Sequence, residues 1–252
     1  MEITRAKIDK AISYMIRRLI GILIILMLVS VYVLEDNKKS PEEIARIIEE
    51  RKEMRSILAS GGNLNQNLPK IWPPKMNSVY PDLELYDQKG QKFMLSSLAG
   101  HVIIVEYIDA LSPISQAQSG SATHGLYYGA KTQELNRQAL PFSDVIKKHT
   151  NGALSLPNDN IFELKIIVYG ADAAAASRDD AEQWAQHFKL KEADNVIVAV
   201  PSKDMRGDES QSLITGFQLL DKNMVLRVDS SGVMPKHNLQ MTLVPLVPKL
   251  IR

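Results

Sequence analysis

Three uninterrupted apolar runs constrain this chain more than any other feature. They read "HVIIVEYIDA" at residues 101–110, "FELKIIVYG" at 162–170 and "DNVIVAVP" at 194–201. A strand with one wet face alternates apolar and polar residues. A strand covered on both faces shows a continuous run instead. Between the second and third runs lies "SRDDAEQWAQHFKL", whose Ala181, Trp184, Phe188 and Leu190 fall on one side of a helix. Strand, helix and strand in that order predict parallel pairing with a helical cover. Ahead of the first run, "LELYDQKGQKFML" reads as two short strands around a turn at Gly90. After the third, "ITGFQLLDKNMVLRVDSSG" reads as a hairpin turning at Asp221, Lys222 and Asn223. "LQMTLVPLVPKLI" reads as a closing helix, broken or kinked by Pro245 and Pro248. The expected class is α/β, a mixed sheet flanked by helices.

A fourth apolar run needs a different solvent. Residues 19–34, "LIGILIILMLVSVYVL", carry no charge. A bilayer core takes about 20 helical residues, and Tyr14, Met15 and Ile16 lengthen the run if Arg17 and Arg18 snorkel. Arg5, Lys7, Lys10, Arg17 and Arg18 precede it, and Glu35 and Asp36 follow. That asymmetry predicts a single-pass signal anchor, with residues 1–18 as a cytoplasmic tail and the C-terminal part across the membrane. "VYVLED" lacks the small residues of a cleavage site. In a Gram-negative source the anchor would lie in the inner membrane, and the domain in the periplasm.

Residues 35–77 read as a stalk. Ser40, Pro41 and Glu43 open a helix with a cap, a first-turn proline and a capping box. Gly61 and Gly62 close it. Pro69, Pro73 and Pro74 then favour an extended path into a domain spanning residues 78–252. Basic and acidic residues number 30 and 29, with no basic patch interleaved with aromatics, so nucleic acid is not an expected partner.

The segment "YPDLELYDQKGQKFMLSSLAGHVIIVEYIDALSPIS" resembles the thioredoxin superfamily, in the redoxin branch that holds peroxiredoxins and membrane-tethered thiol-disulfide proteins of the cytochrome c maturation type. Members show there a proline, a strand, a D-x-x-G turn, an L-S-S-L-x-G step, a buried strand and then C-x-x-C. "GFQLLDKNMVLRVDSSG" is similar to their late hairpin. The resemblance implies a thioredoxin-like fold. It puts the nucleophilic cysteine at Ser112, the resolving cysteine at Ser115 and the cis-proline at Thr215.

None of those three positions keeps the family residue, and the chain has no cysteine at all. A thiol at a helix start ionises because the helix dipole and free N–H groups stabilise the thiolate. A serine hydroxyl titrates far too high to follow, and it forms no disulfide. "SPIS", Ser112, Pro113, Ile114 and Ser115, is expected instead as a helix cap with proline in the first turn. A serine nucleophile needs a base and an orienting acid, and Asp109 and His124 have no motif around them. The histidines at 101, 124, 149, 187 and 237 lack ligand spacing. Asp204, Asp208 and Glu209 read as a solvated loop, and Asp179 and Asp180 as a helix start. No phosphate-binding glycine pattern is present. No cofactor and no metal are expected.

Residues 116–160 exceed what one connecting helix requires, and read as an insertion carrying Tyr127, Tyr128 and Phe142. These aromatics are candidate partner contacts, or else a private cover for the sheet. The expectation is a membrane-anchored, redox-inactive scaffold that binds a protein partner in the cell envelope. A redoxin oxidoreductase working without cysteine and a purely structural membrane subunit are the alternatives.

Overall fold

A computed structural model of the chain describes residues 69, 71–127, 140–171 and 174–251. The apolar run at 19–34, the stalk helix and Tyr128 lie outside them. Among the described residues no helix is long and apolar enough to cross a membrane.

The described residues form one seven-stranded sheet. Its strands are β1 (Glu84–Asp87), β2 (Lys92–Met94), β3 (Val102–Asp109), β4 (Ile161–Tyr169), β5 (Val196–Pro201), β6 (Gly216–Leu220) and β7 (Leu226–Ser231). They lie in the order β2-β1-β5-β4-β3-β6-β7. The three runs singled out from sequence form the parallel centre, β5-β4-β3. The hairpins β1-β2 and β6-β7 extend it on either side by antiparallel pairing. All eight residues of β3 are buried, as a strand covered on both faces requires.

Local chemistry sets the turns. In the first hairpin Asp87 Oδ1 accepts from Lys89 N at 2.9 Å and Gln91 N at 2.7 Å, while Gly90 takes φ +74°. In the second, Asp221 Oδ1 accepts from Asn223 N and Val225 N, and Arg227 Nε donates to Asp221 Oδ2 at 2.7 Å. Burial raises the pKa of Asp221, but these backbone and guanidinium donors outweigh it and hold the group below its ordinary value.

The helices are α1 (Pro113–Gln118), α2 (Ser121–His124), α3 (Phe142–His149), α4 (Arg178–Phe188), α5 (Asp208–Gln211) and α6 (Val244–Leu250). Ser177 and Asp180 form a reciprocal capping box that starts α4, which buries Ala181, Trp184 and Phe188 against Ile108, Ile167 and Val198. α3 and α6 cover the same side of the sheet nearer β6 and β7, over Ile104, Phe217 and Val228. A π-helical turn, Leu239–Leu243, leads into α6. Pro245 sits in the first turn of α6, where no N–H is needed, and Pro248 lies inside the helix. The closing helix is thus widened at its entry rather than broken.

Among the described residues the opposite side has no long helix. Ile103, Val105, Tyr107, Leu164 and Ile166 are covered there by Tyr80 and Leu83, the 3-10 turn Leu95–Leu98, and Met205, Leu213 and Ile214. Trp72 and Met76, on the Pro-rich stretch, pack against this cluster, and Pro74 is buried. The Trp72 ring meets Tyr107 edge-on at 5.7 Å, and its Nε1 donates to Ser210 Oγ at 3.0 Å. The end of the expected stalk is therefore part of the packed domain.

Candidate functional site: a cysteine-free helix mouth

β3 delivers the chain to the mouth. Leu111 N donates to Asp109 Oδ1 at 3.0 Å and Ser112 N to Asp109 O at 2.8 Å, which turns the backbone sharply into α1. Ser112 is the N-cap. Its Oγ accepts from Ser115 N at a long 3.4 Å, with Pro113 in the first turn. Ser115 is wholly buried, and its Oγ has no hydrogen-bond partner among the described residues. Ile114 between them is exposed. Gln116 holds the helix down: its Nε2 donates to Ala110 O at 2.9 Å, and its Oε1 accepts from Tyr127 N at 3.0 Å.

β6 brings Thr215 to the same edge. β3 and β6 run antiparallel with Glu106 opposite Phe217, so the end of β3 and the start of β6 share one edge of the sheet. The Ile214–Thr215 peptide bond is cis, at the position where the resemblance places a cis-proline. Thr215 O accepts from Gly232 N at 2.7 Å. Ser112, Ser115 and Thr215 are thus brought to one end of the fold.

Of the aromatic candidates, the two described, Tyr127 and Phe142, are not at this surface. Tyr127 is buried, with its ring 5.1 Å from Trp184 and 5.5 Å from His187. Phe142 is buried 4.5 Å from Phe217. Both serve as cover for the sheet rather than as exposed contacts. Two other side chains weighed from the sequence are engaged within the fold. Asp204 is bound by Arg206, and His187 contacts Gly125 O at 3.1 Å. Among the described residues no three His, Asp or Glu side chains converge as a metal site would require.

Two buried polar assemblies were not anticipated from sequence. On the helix-covered side, Lys165 donates to Glu106 Oε2 with both side chains almost fully buried, at 3% and 1% exposure. Glu106 Oε1 has no partner among the described residues. Burial raises the Glu106 pKa, and the neighbouring ammonium offsets this only in part. Half-buried Glu163, two residues before Lys165 on the same face, is raised for the same first reason. On the other side, Tyr80 Oη meets Tyr107 Oη at 2.7 Å and donates to Gln218 Oε1 at 2.5 Å. Gln218 Nε2 donates to Asp229 Oδ1 at 3.1 Å. Burial raises both phenols. Burial also works to raise Asp229, but donors from Ser231, Gln218 and Lys236 prevail and lower it. The sequence signal for the first assembly was a charge set inside each of two mostly apolar runs, Glu106 in one and Lys165 in the other.

The central parallel strands, the two flanking hairpins and the helix opening after β3 make a mixed sheet flanked by helices that fits a thioredoxin-like α/β fold, with Ser112 and Ser115 at its helix mouth. No family model and no curated protein matches the chain. Several solved structures are similar to it in fold. One, from Aquifex aeolicus VF5, is provisionally described as an electron transfer protein (TM-score 0.46, 14% identity, covering 71% of this chain and 99% of that one). BsSco, a member of the Sco family of cytochrome c oxidase assembly proteins, is similar at TM-score 0.42 and 14% identity, over 73% and 98% of the two chains. The thioredoxin domain of a thiol-disulfide oxidoreductase from Bacteroides vulgatus is similar at TM-score 0.41 and 12% identity, over 71% and 99%.

Proposed function

We propose that this chain is a membrane-anchored, redox-inactive thioredoxin-like protein, a binding or scaffold component of an envelope-associated assembly of the secretion or conjugation type. One observation carries the reading. The helix mouth has its cap at Ser112 and its proline in the first turn, yet serine stands at 112 and 115, the two positions where the resemblance places cysteine. Hydroxyls there can neither carry electrons nor form a mixed disulfide. An intact scaffold without its reactive groups is suited to recognition, and an anchor in residues 19–34 would hold it at high local concentration near membrane partners.

The test is an insulin-reduction and hydroperoxide assay on the full-length chain, beside a Ser112→Cys, Ser115→Cys variant. Wild type should match the protein-free blank, with thiol turnover only in the double variant. Wild-type turnover in a preparation free of reductase would overturn the proposal.

A further inference from the structure

The chain has ten methionines and no cysteine, so all of its sulfur is thioether. The fold sorts the described methionines sharply. Met205 and Met224 are buried, at 5% and 7% exposure. Met76 packs against the cluster around Tyr107, and Met94 is 38% exposed. Met234 and Met241 stand almost wholly in water, at 92% and 81%.

Both exposed thioethers sit on backbone that the fold fixes. Met234 lies in the loop at residues 232–237. At one end of it Gly232 N donates to Thr215 O at 2.7 Å, and Gly232 packs so tightly that a Cβ on it would lie 2.2 Å from Ser212 O. At the other end His237 N donates to Asp229 O at 3.0 Å, and Lys236 Nζ reaches Asp229 Oδ2 at 3.2 Å. The loop is therefore a pinned projection. Met241 lies in the π-helical turn that follows, where its N donates to Asn238 Oδ1 at 2.8 Å. A thiol must ionise before it attacks an oxidant, whereas a thioether reacts as it stands, at a rate set largely by access. Met234 and Met241 offer that access, and Met205 and Met224 do not.

We propose that Met234 and Met241 are sites of reversible oxidation, taken to methionine sulfoxide by hydrogen peroxide and returned to thioether by sulfoxide reductases. A sulfur lone pair attacks one peroxide oxygen and the O–O bond breaks. The proton of the transferred hydroxyl passes to the departing hydroxide, which leaves as water. Sulfur is oxidised by two electrons and one peroxide is consumed per site. Repair removes the oxygen as water while a dithiol becomes its disulfide. The reaction is stoichiometric, so it is distinct from thiol turnover, and it holds whether or not the domain is anchored. Because neither side chain packs in a core, the oxygen is added without disturbing the fold. At 234 it turns an aliphatic tip, Val233 with Met234, into a polar one, two residues from the bond to Thr215.

The full-length protein is treated with hydrogen peroxide, folded and in urea, and oxygen uptake is mapped residue by residue from peptide masses. In the folded chain Met234 and Met241 should oxidise at least about tenfold faster than Met205 and Met224. In urea the four rates should converge. After brief treatment the urea-unfolding midpoint should match that of untreated protein. Methionine sulfoxide reductases of both epimer specificities, with dithiothreitol, should then restore both thioethers. The variant Met234→Leu, Met241→Leu should keep its midpoint and lose the fast phase of uptake. Four similar rates in the folded chain overturn the proposal, and so does a fast phase that survives in the variant. A midpoint lowered by brief treatment shows that these side chains are packed and refutes it. Sulfoxides at 234 and 241 that persist while free methionine sulfoxide is repaired also refute it.

Discussion

Replacing Lys165 by methionine should expose the electrostatics at the centre of the sheet. The ammonium is the one described partner of the Glu106 carboxylate, and both side chains are within a few per cent of full burial. Removing one member of such a pair leaves a buried charge uncompensated and costs about 3–5 kcal/mol. For a domain of this size that lowers Tm by about 6–20 °C. The loss should also depend on pH in a definite direction. Burial already holds the folded-state pKa of Glu106 above its ordinary value, and Lys165 is the group that pulls it back. Without Lys165 the folded-state value rises further. A folded state that binds the extra proton is favoured at low pH, and that advantage fades as pH climbs from the ordinary carboxylate value. The deficit of Lys165→Met should therefore be smaller near about pH 5 than near about pH 8. The pair Glu106→Leu with Lys165→Met removes both charges from an apolar surround, and should recover most of the loss or exceed wild type by about 1–4 kcal/mol. Urea unfolding of the full-length chain and both variants at the two pH values measures this. A Lys165→Met deficit that stays the same across pH, or a double variant no more stable than the single one, would refute the reasoning.

Two further outcomes concern β7 and the residue that follows it. Gly232→Ala should cost about 1–3 kcal/mol in urea unfolding, because Gly232 has φ +80° and its new Cβ would lie 2.2 Å from Ser212 O. Asp229 has a folded-state pKa below its ordinary value, so its contribution is present above the ordinary carboxylate range and is lost as pH falls through the lowered value. Asp229→Asn should accordingly flatten the acid limb of a stability–pH profile, and an unchanged limb would count against the network around Gln218.

Much of the fold was legible because its signals are local. The β3 strand declared itself by a mostly apolar run, the start of α4 by Asp179 and Asp180 in its first turn, and the first hairpin by its turn at Gly90. Each rests on a side chain acting on backbone only a few residues away. The mouth was legible for the same reason, since the Ser112 cap and Pro113 lie within one helical turn. Tyr127 and Phe142 were not, because an aromatic residue reads alike whether it faces water or Trp184. Which way it turns depends on elements far along the chain.

The sequence by itself determined which runs become strands, the absence of any thiol nucleophile, the cap at Ser112 and the turn at Gly90. Tertiary structure alone decided that Glu106 meets a lysine 59 residues away, that the Pro-rich stretch packs at Trp72 as part of the domain, and that Val233 and Met234 stand out on a pinned loop. The physical reason is range. Caps and turns form between residues already held together by the backbone, whereas burial and charge pairing depend on which distant strand the fold sets alongside.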